Sequence, residues 1–216
     1  MPAIKILLAD DHEILREGLR RMIEKEPDME VIGEAEDGRN IVKIAKKLVP
    51  DVIVMDVTMP DLNGMDATRK IVSEVPGVKV LALSMHQDRK YVSGMLEAGA
   101  MGYVLKGSKF EELVTAIRAV SKKNVYLSPK IADMVLSGYL GKSPKTFALP
   151  VLSDREREVL QLLAEGNSVK ETAYKLELSP KTVETHRRHI MEKLNISNSS
   201  DIVKYALREG LITLDL

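Results

Sequence analysis

Asp10 and Asp11 directly follow the apolar run Ile4–Ala9, and Asp56 directly follows Val52–Met55. Ser84 follows Val78–Leu83, and Lys106 follows Gly102–Leu105. Three carboxylates, a hydroxyl and an ammonium thus sit where separate apolar segments end. Brought together, the carboxylates repel: at about 5 Å and an effective dielectric near 20, Coulomb's law gives roughly 3 kcal/mol per pair. Such a site needs compensating positive charge. Its donors are hard oxygens, which suit Mg²⁺, an ion that takes carboxylates plus waters and usually a phosphate as well. Lys106 supplies a second positive charge. A divalent ion, a lysine and a carboxylate together make a phosphoryl acceptor, with Asp56 as the nucleophile.

The apolar runs Ile4–Ala9, Val31–Ala35, Val52–Met55, Val78–Leu83 and Gly102–Leu105 alternate with helical patterns such as Ile14, Leu15, Leu19, Met22 and Ile23. Continuous apolar strands between amphipathic helices predict an α/β fold, a five-stranded parallel sheet covered on both faces, with right-handed crossovers. Ligands of such sheets collect beyond the carboxyl ends of the strands. In the flavodoxin-like strand order 2-1-3-4-5 the ends that carry these residues are neighbours, which places Asp56 in solvent at the rim of the sheet. Asp37–Gly38 reads as the start of the second helix, and Ser108 with Glu111 as a capping box. Taken singly, an Asp at a strand end is usually a turn former, and Asp10 or Asp11 could cap the first helix. The set as a whole reads as a site.

Two enzyme readings fit poorly. A dinucleotide site wants G-x-G-x-x-G after the first strand, whereas ADDHEILREG would repel a pyrophosphate. A phosphatase of the haloacid-dehalogenase type places a second acid two residues after its nucleophile, and that position is Thr58.

The length, 216 residues, suits one large domain or two smaller ones of about 100–150 residues each. With 44% apolar and 30% charged residues the chain should fold as a soluble globular protein. It has no cysteine, hence no disulfide and no thiolate metal site. The apolar run near its start is too short for a secretion signal or a membrane span, so a cytoplasmic protein without a membrane partner is expected. Residues 1–120 carry 17 Lys/Arg against 20 Asp/Glu, and residues 148–216 carry 10 against 11. Neither part is basic as a whole, so any nucleic-acid contact must rest on a local patch. Residues 121–150 read as a linker with a short helix opening at Ser128-Pro129, because SGYLGKSPKTFALP cannot build a core.

Residues 151–216 show helix starts at Ser153, Ser168 and Ser179-Pro180, helix ends at Gly166 and Gly210, and no strand pattern. In the helix from Pro180, Val183, Ile190 and Leu194 form the core face with His186 beside them. The outward face carries Lys181, Glu184, Thr185 and Arg188, flanked by Arg187 and Lys193, and Lys181, Thr182, Glu184 and Arg188 lie in the first three turns. Helix–turn–helix proteins present this part of the second helix to base edges in the major groove. The amides and dipole at its start favour a DNA phosphate. A solvated charged face, or a helical protein-binding module, would show much the same pattern.

ADD at 9–11, MDVTMPDLNG at 55–64, LALS at 81–84 and GYVLK at 102–106 resemble the receiver domain of bacterial two-component response regulators, over residues 1–120. The resemblance implies that Asp56 accepts a phosphoryl group from a sensor histidine kinase. It implies that Asp10 and Asp11, with Asp56 and the backbone carbonyl of Thr58, hold Mg²⁺. Ser84 would hydrogen-bond the phosphoryl group, Lys106 would pair with it, and Tyr103 would hold the switch aromatic position. A tyrosine there also reads as an ordinary half-buried core residue. Two positions depart from the common pattern: Gly107 follows the lysine where many receivers have proline, and Met85 follows Ser84 where many have a smaller residue.

LSDREREVLQLLAEGNSVKETAYKLELSPKTVETHRRHIMEKL, 152–194, resembles the LuxR-type helix–turn–helix. The two parts together resemble a NarL/FixJ-type transcription regulator, which is not an enzyme. That resemblance implies base-facing roles for Glu184, Thr185 and Arg188, and phosphate contacts for Lys181, Thr182 and Lys193. It also implies a homodimer, formed on activation, that binds half-sites in double-stranded promoter DNA.

Overall fold

The computed structural model describes residues 2–140 and 152–213. The described residues fold as two compact units, one built within residues 2–140 and the other within residues 152–213.

In the first unit the elements alternate. β1 (Ile4–Ala9), α1 (Glu13–Ile23), β2 (Met29–Ala35), α2 (Gly38–Leu48), β3 (Val52–Asp56) and α3 (Gly64–Glu74) come first. Then follow β4 (Lys79–Ser84), α4 (Arg89–Glu97), β5 (Gly102–Leu105), α5 (Phe110–Ser121), β6 (Tyr126–Leu127) and α6 (Pro129–Leu140). All strands are parallel, in the order β2-β1-β3-β4-β5-β6. Ile6, Leu8, Val54, Leu81, Leu83 and Val104 pack on one face against Leu113, Val114 and Ile117 of α5. Leu7, Ile53, Met55, Val80 and Ala82 are equally buried, and because strand side chains alternate they belong to the other face. Burial on both faces is why these strands read as unbroken apolar runs.

The sheet has six strands rather than the expected five. Tyr126 and Leu127, within the stretch expected to be a linker, pair with Gly102 and Tyr103. A two-residue strand carries no readable period. Its neighbour gives a hint only in three dimensions: a Cβ on Gly102 would stand 2.8 Å from the Tyr126 carbonyl oxygen and 2.7 Å from Leu81 Cδ1. Ser128 continues the link by donating its N–H to the Tyr103 carbonyl at 3.0 Å. The short helix expected at Pro129 is α6, with Ile131 buried. The rest of the expected linker, 141–150, lies outside the described residues.

The helix starts follow the cap residues in most places. Asp37 accepts the N–H groups of Arg39 and Asn40 at the head of α2. The expected box of Ser108 and Glu111 does not form. The N-cap of α5 is Lys109 without a side-chain bond, because Ser108 is drawn into a turn by donating its N–H to Leu105 at 2.9 Å.

The second unit is helical, with α7 (Asp154–Ala164), α8 (Val169–Leu176), α9 (Pro180–Leu194) and α10 (Ser199–Glu209). Ser153 with Glu156, and Ser168 with Glu171, form complete capping boxes, and Ser179 caps α9 with Pro180 at its first position. Glu177 turns the chain between α8 and α9 in the left-handed conformation at φ 55. Val159, Leu160, Leu162, Ala173, Leu176, Val183, Ile190, Ile202 and Ala206 make the core.

Candidate phosphoryl-acceptor site and DNA-facing helix

β3 runs one residue further than its apolar stretch, so Asp56 is itself a strand residue, paired in register with Leu83. Asp56 is 2% exposed, not in solvent at the rim. Lys106, beyond β5, and Asp10, beyond β1, lie against it, which strand periodicity could not reveal. Asn63 caps α3 by accepting the Asp66 N–H at 2.9 Å. Gly64 must be bare, because a Cβ there would overlap the Asp56 carbonyl oxygen.

Two buried carboxylates share one ammonium. Lys106 Nζ lies 2.6 Å from Asp56 Oδ2 and 2.8 Å from Asp10 Oδ2. The other Asp56 oxygen, Oδ1, accepts the Val57 N–H at 2.6 Å. Asp10 Oδ1 accepts the His12 N–H at 2.9 Å. Burial pushes the Asp56 carboxyl up to about 6; Lys106 opposes this and the charge of Asp10 adds to it. Burial works against the charge on Lys106, but Asp56 and Asp10 outweigh it and raise its pKa above the ordinary lysine value.

Among the described residues Asp10, Asp11, His12 and Asp56 offer ligand atoms that all lie within 4.8 Å of one another. Three of the donors are carboxylate oxygens, a hard set that fits a hard divalent cation. The buried acids are only partly compensated by one lysine, which leaves the site anionic. His12 was not foreseen as part of it. Its Nδ1 lies 2.8 Å from Asp11 Oδ1 and 3.2 Å from Asp10 Oδ1. Its place directly after the acid pair was the available signal.

Ser84 ends β4, is fully buried, and accepts the His86 N–H on Oγ at 3.1 Å. Its carbonyl receives the Lys106 N–H at 2.8 Å. Tyr103 is fully buried rather than half-buried, and its hydroxyl donates to the His86 carbonyl at 2.7 Å. Burial pushes that phenol up to about 12. The His86 ring stacks on Tyr91 of α4 at 4.2 Å. Ser84, His86 and Tyr103 are therefore joined by hydrogen bonds next to the acid pair. Thr58 lies two residues past Asp56, its N–H 3.4 Å from Asp56 Oδ1. Met85 is exposed.

In the second unit Lys181, Glu184 and Arg188 project from α9 into solvent. Thr182 and Thr185 are half-buried and turned back on their own helix: Thr182 Oγ1 meets Ser179 Oγ at 2.8 Å, and Thr185 donates to the Lys181 carbonyl at 3.0 Å. Arg187 donates to Ser199 Oγ at 3.1 Å, which ties α9 to the start of α10. Lys193 donates to Glu156 Oε2 at 2.7 Å. An ammonium has three donors, and this one keeps part of its surface in water. Glu184, Arg187 and Arg188 line one open groove with Met191 and Ile196. His186 is half-buried, between the core residues Val183 and Ile190.

Among the described residues no helix is long and apolar enough to cross a membrane.

Comparison with known proteins matches residues 6–118 to the response regulator receiver domain, and residues 150–206 to the bacterial regulatory proteins of the luxR family. The chain is 42% identical to the transcriptional regulatory protein LiaR of Bacillus subtilis (strain 168), over 97% of this chain and 99% of that protein. It is 39% identical to the oxygen regulatory protein NreC of Staphylococcus carnosus (strain TM300), over 97% and 99%. Among solved structures it resembles RcsB of Salmonella enterica serovar Typhimurium bound to promoter rprA in the presence of the phosphomimetic BeF3−. That match has a TM-score of 0.59 and 28% identity, over 94% of this chain and 98% of that one. With the buried acid pair of the first unit and the helix–turn–helix of the second, these matches show that the chain belongs to the two-component response regulators, as a receiver domain joined to a LuxR-type DNA-binding domain.

Proposed function

We propose that the protein is a cytoplasmic transcription regulator switched by transfer of a phosphoryl group from a sensor histidine kinase to Asp56. The observation that carries this is the single ammonium of Lys106 shared by two buried carboxylates, Asp10 and Asp56. A structural ion pair would need one acid; a second buried acid, with Asp11 beside it, suits an ion and a transferable group.

Asp10, Asp11 and Asp56, with the backbone carbonyl of Thr58, would hold Mg²⁺, which when bound supplies charge neutralisation for the phosphoryl oxygens. Ionised Asp56 attacks phosphorus through a carboxylate oxygen. The new P–O bond forms as the P–N bond of the phosphohistidine breaks, and the departing imidazole takes a proton from solvent. The product carries about −1.5 to −2 charge and three acceptor oxygens in place of one carboxylate charge. Lys106 then moves from the carboxylates to the phosphoryl group. Ser84 Oγ turns to donate to it and releases the His86 N–H. The bond from Tyr103 to the His86 carbonyl registers that release, and the surface around α4 and β5 changes with it. A coupling of about 1.4 kcal/mol shifts such a balance tenfold.

The reshaped receiver pairs with a second copy, and two α9 helices then reach two promoter half-sites. RcsB, whose structure has been solved as dimers on DNA, supports this reading. Glu184, Thr185 and Arg188 face the bases. Lys181, Thr182 and Lys193 meet the phosphates, with Arg187 on the flank. The test is Asp56→Asn with acetyl phosphate and Mg²⁺. The parent should gain one phosphoryl mass, self-associate and bind its promoter more tightly, and the variant should do none of these. A variant that responds as the parent does would leave a docking module without phosphoryl transfer.

A further inference from the structure

Asp10 stands just beyond the end of β1 and before the start of α1, where neither element supplies a partner for its carbonyl. Its N–H is still held by the sheet, donating to the Ala35 carbonyl of β2 at 3.1 Å. The carbonyl is taken by a side chain: Arg16, from the first turn of α1, donates Nη1–H to it at 2.6 Å. The guanidinium is held in turn, since its Nε donates to Glu34 Oε2 on β2 at 3.2 Å. The second oxygen of Glu34 is occupied by Arg20 Nη1 at 2.8 Å, and Arg20 Nε donates to Glu24 at 2.9 Å. The Arg16 side chain is only 14% exposed. The main chain of Asp10 is thereby pinned on both sides. What remains free to turn is its carboxylate, one oxygen of which meets Lys106 and the other His12.

A cation placed this close to three carboxylates competes with a metal ion if charge is all that matters. Here Glu34 and Glu24 together balance Arg16 and Arg20, so the guanidinium brings direction with little net field. A planar fork can hold a carbonyl and a carboxylate at once, whereas an ammonium is a point charge on a flexible stem. Groups that orient the ligands of a metal site typically change its affinity 10–100-fold when removed.

We propose that Arg16 is a positioning residue for the ion site, locking the Asp10 main chain so that Asp10 and Asp11 aim their oxygens at a divalent cation. This rests on the phosphoryl-acceptor reading above. It assigns to Arg16 the assembly of the site rather than the transfer itself: Arg16 touches neither the acceptor oxygen nor the incoming group.

The full-length protein is titrated with MgCl₂ by calorimetry, and its labelling by acetyl phosphate is followed by intact mass across a Mg²⁺ series. Arg16→Ala should bind Mg²⁺ about tenfold more weakly, while its labelling rate at saturating Mg²⁺ stays within about twofold of the parent. Arg16→Lys, which keeps the charge but not the fork, should be weakened nearly as much. Arg20→Ala, which touches Glu34 but not Asp10, should bind as the parent does. Parent-like or tighter Mg²⁺ binding by Arg16→Ala overturns the proposal, and so does an equal loss in Arg20→Ala, which would mark a general effect of α1. If Arg16→Ala fails to fold by circular dichroism, Glu34→Gln takes its place: it frees the guanidinium from its anchor, and unchanged affinity there overturns the proposal. A parent that neither binds Mg²⁺ nor takes a phosphoryl group would instead remove the acceptor reading on which this one stands.

Discussion

Lys106 Nζ stands 2.6 Å from Asp56 Oδ2 although the two residues are 50 positions apart in the chain. The same nitrogen reaches Asp10 Oδ2 at 2.8 Å. The lysine thus occupies carboxylate oxygens that a divalent ion would also use. On the proposed function, ion and lysine would compete before phosphorylation and act together after it, once the phosphoryl oxygens supply new acceptors.

Lys106→Met should therefore tighten Mg²⁺ binding by about tenfold, or ~1.4 kcal/mol, while the gain in promoter affinity on treatment with acetyl phosphate disappears. Calorimetry and fluorescence anisotropy on labelled promoter DNA read the two effects. Weaker Mg²⁺ binding in the variant would mean that Lys106 helps to hold the ion, contrary to this account.

Asp56 carries an acid–base signature of its burial. Its folded pKa is raised to about 6 from an ordinary 3.8. Across that window the folded protein keeps a proton that the unfolded chain has lost, so this contribution to stability is present at low pH, falls as pH rises, and is absent at pH 7. Without Mg²⁺, Asp56→Asn should be more stable than the parent at neutral pH by about 1–3 kcal/mol, with the gain fading toward the lower end of the window. Urea unfolding at a series of pH values measures it, and a variant less stable than the parent at pH 7 contradicts it.

Glu156 behaves in the opposite sense. Burial acts to raise its pKa, but the hydrogen bonds from Lys193 and from the Ser153 backbone and hydroxyl outweigh it, and hold the carboxyl at about 2 against an ordinary 4.5. Its contribution is complete above the ordinary value and is lost as pH falls toward about 2. Glu156→Gln should cost on the order of 2–3 kcal/mol at neutral pH and flatten the acid limb of the helical unit. Melting by far-UV circular dichroism as a function of pH tests this; an unchanged acid limb would assign the loss to other groups.

On α9, Arg188 and Lys181 should fail differently. Arg188→Ala is expected to cost about 1–3 kcal/mol of promoter affinity and to relax specificity at one base position. Lys181→Ala should weaken binding to all sequences alike and reduce the salt slope by about 1. Titrations at several salt concentrations, on promoter and scrambled DNA, separate a base contact from a phosphate contact. If Arg188→Ala changes only the salt slope, the residue is not reading bases.

Much of this protein was legible before any coordinate. Apolar runs set the strands of the first unit, because a strand buried on both faces has no polar position to spare. The residues just after those runs marked the site, because a parallel sheet delivers its strand ends to one rim. Ser153, Ser168 and Ser179 marked helix starts for a local reason: the cap and the amides it satisfies are three residues apart. What only the tertiary structure decided are the partners of long separation and the degree of enclosure. Asp56 is buried rather than rim-exposed, Arg16 reaches back to the Asp10 carbonyl, Lys193 braces Glu156, and Tyr126–Leu127 extends the sheet past Gly102. Side-chain type and period report which face of an element is covered. They do not report which of several nearby polar groups a long, flexible arginine or lysine will choose, since that depends on distances set only when the elements pack.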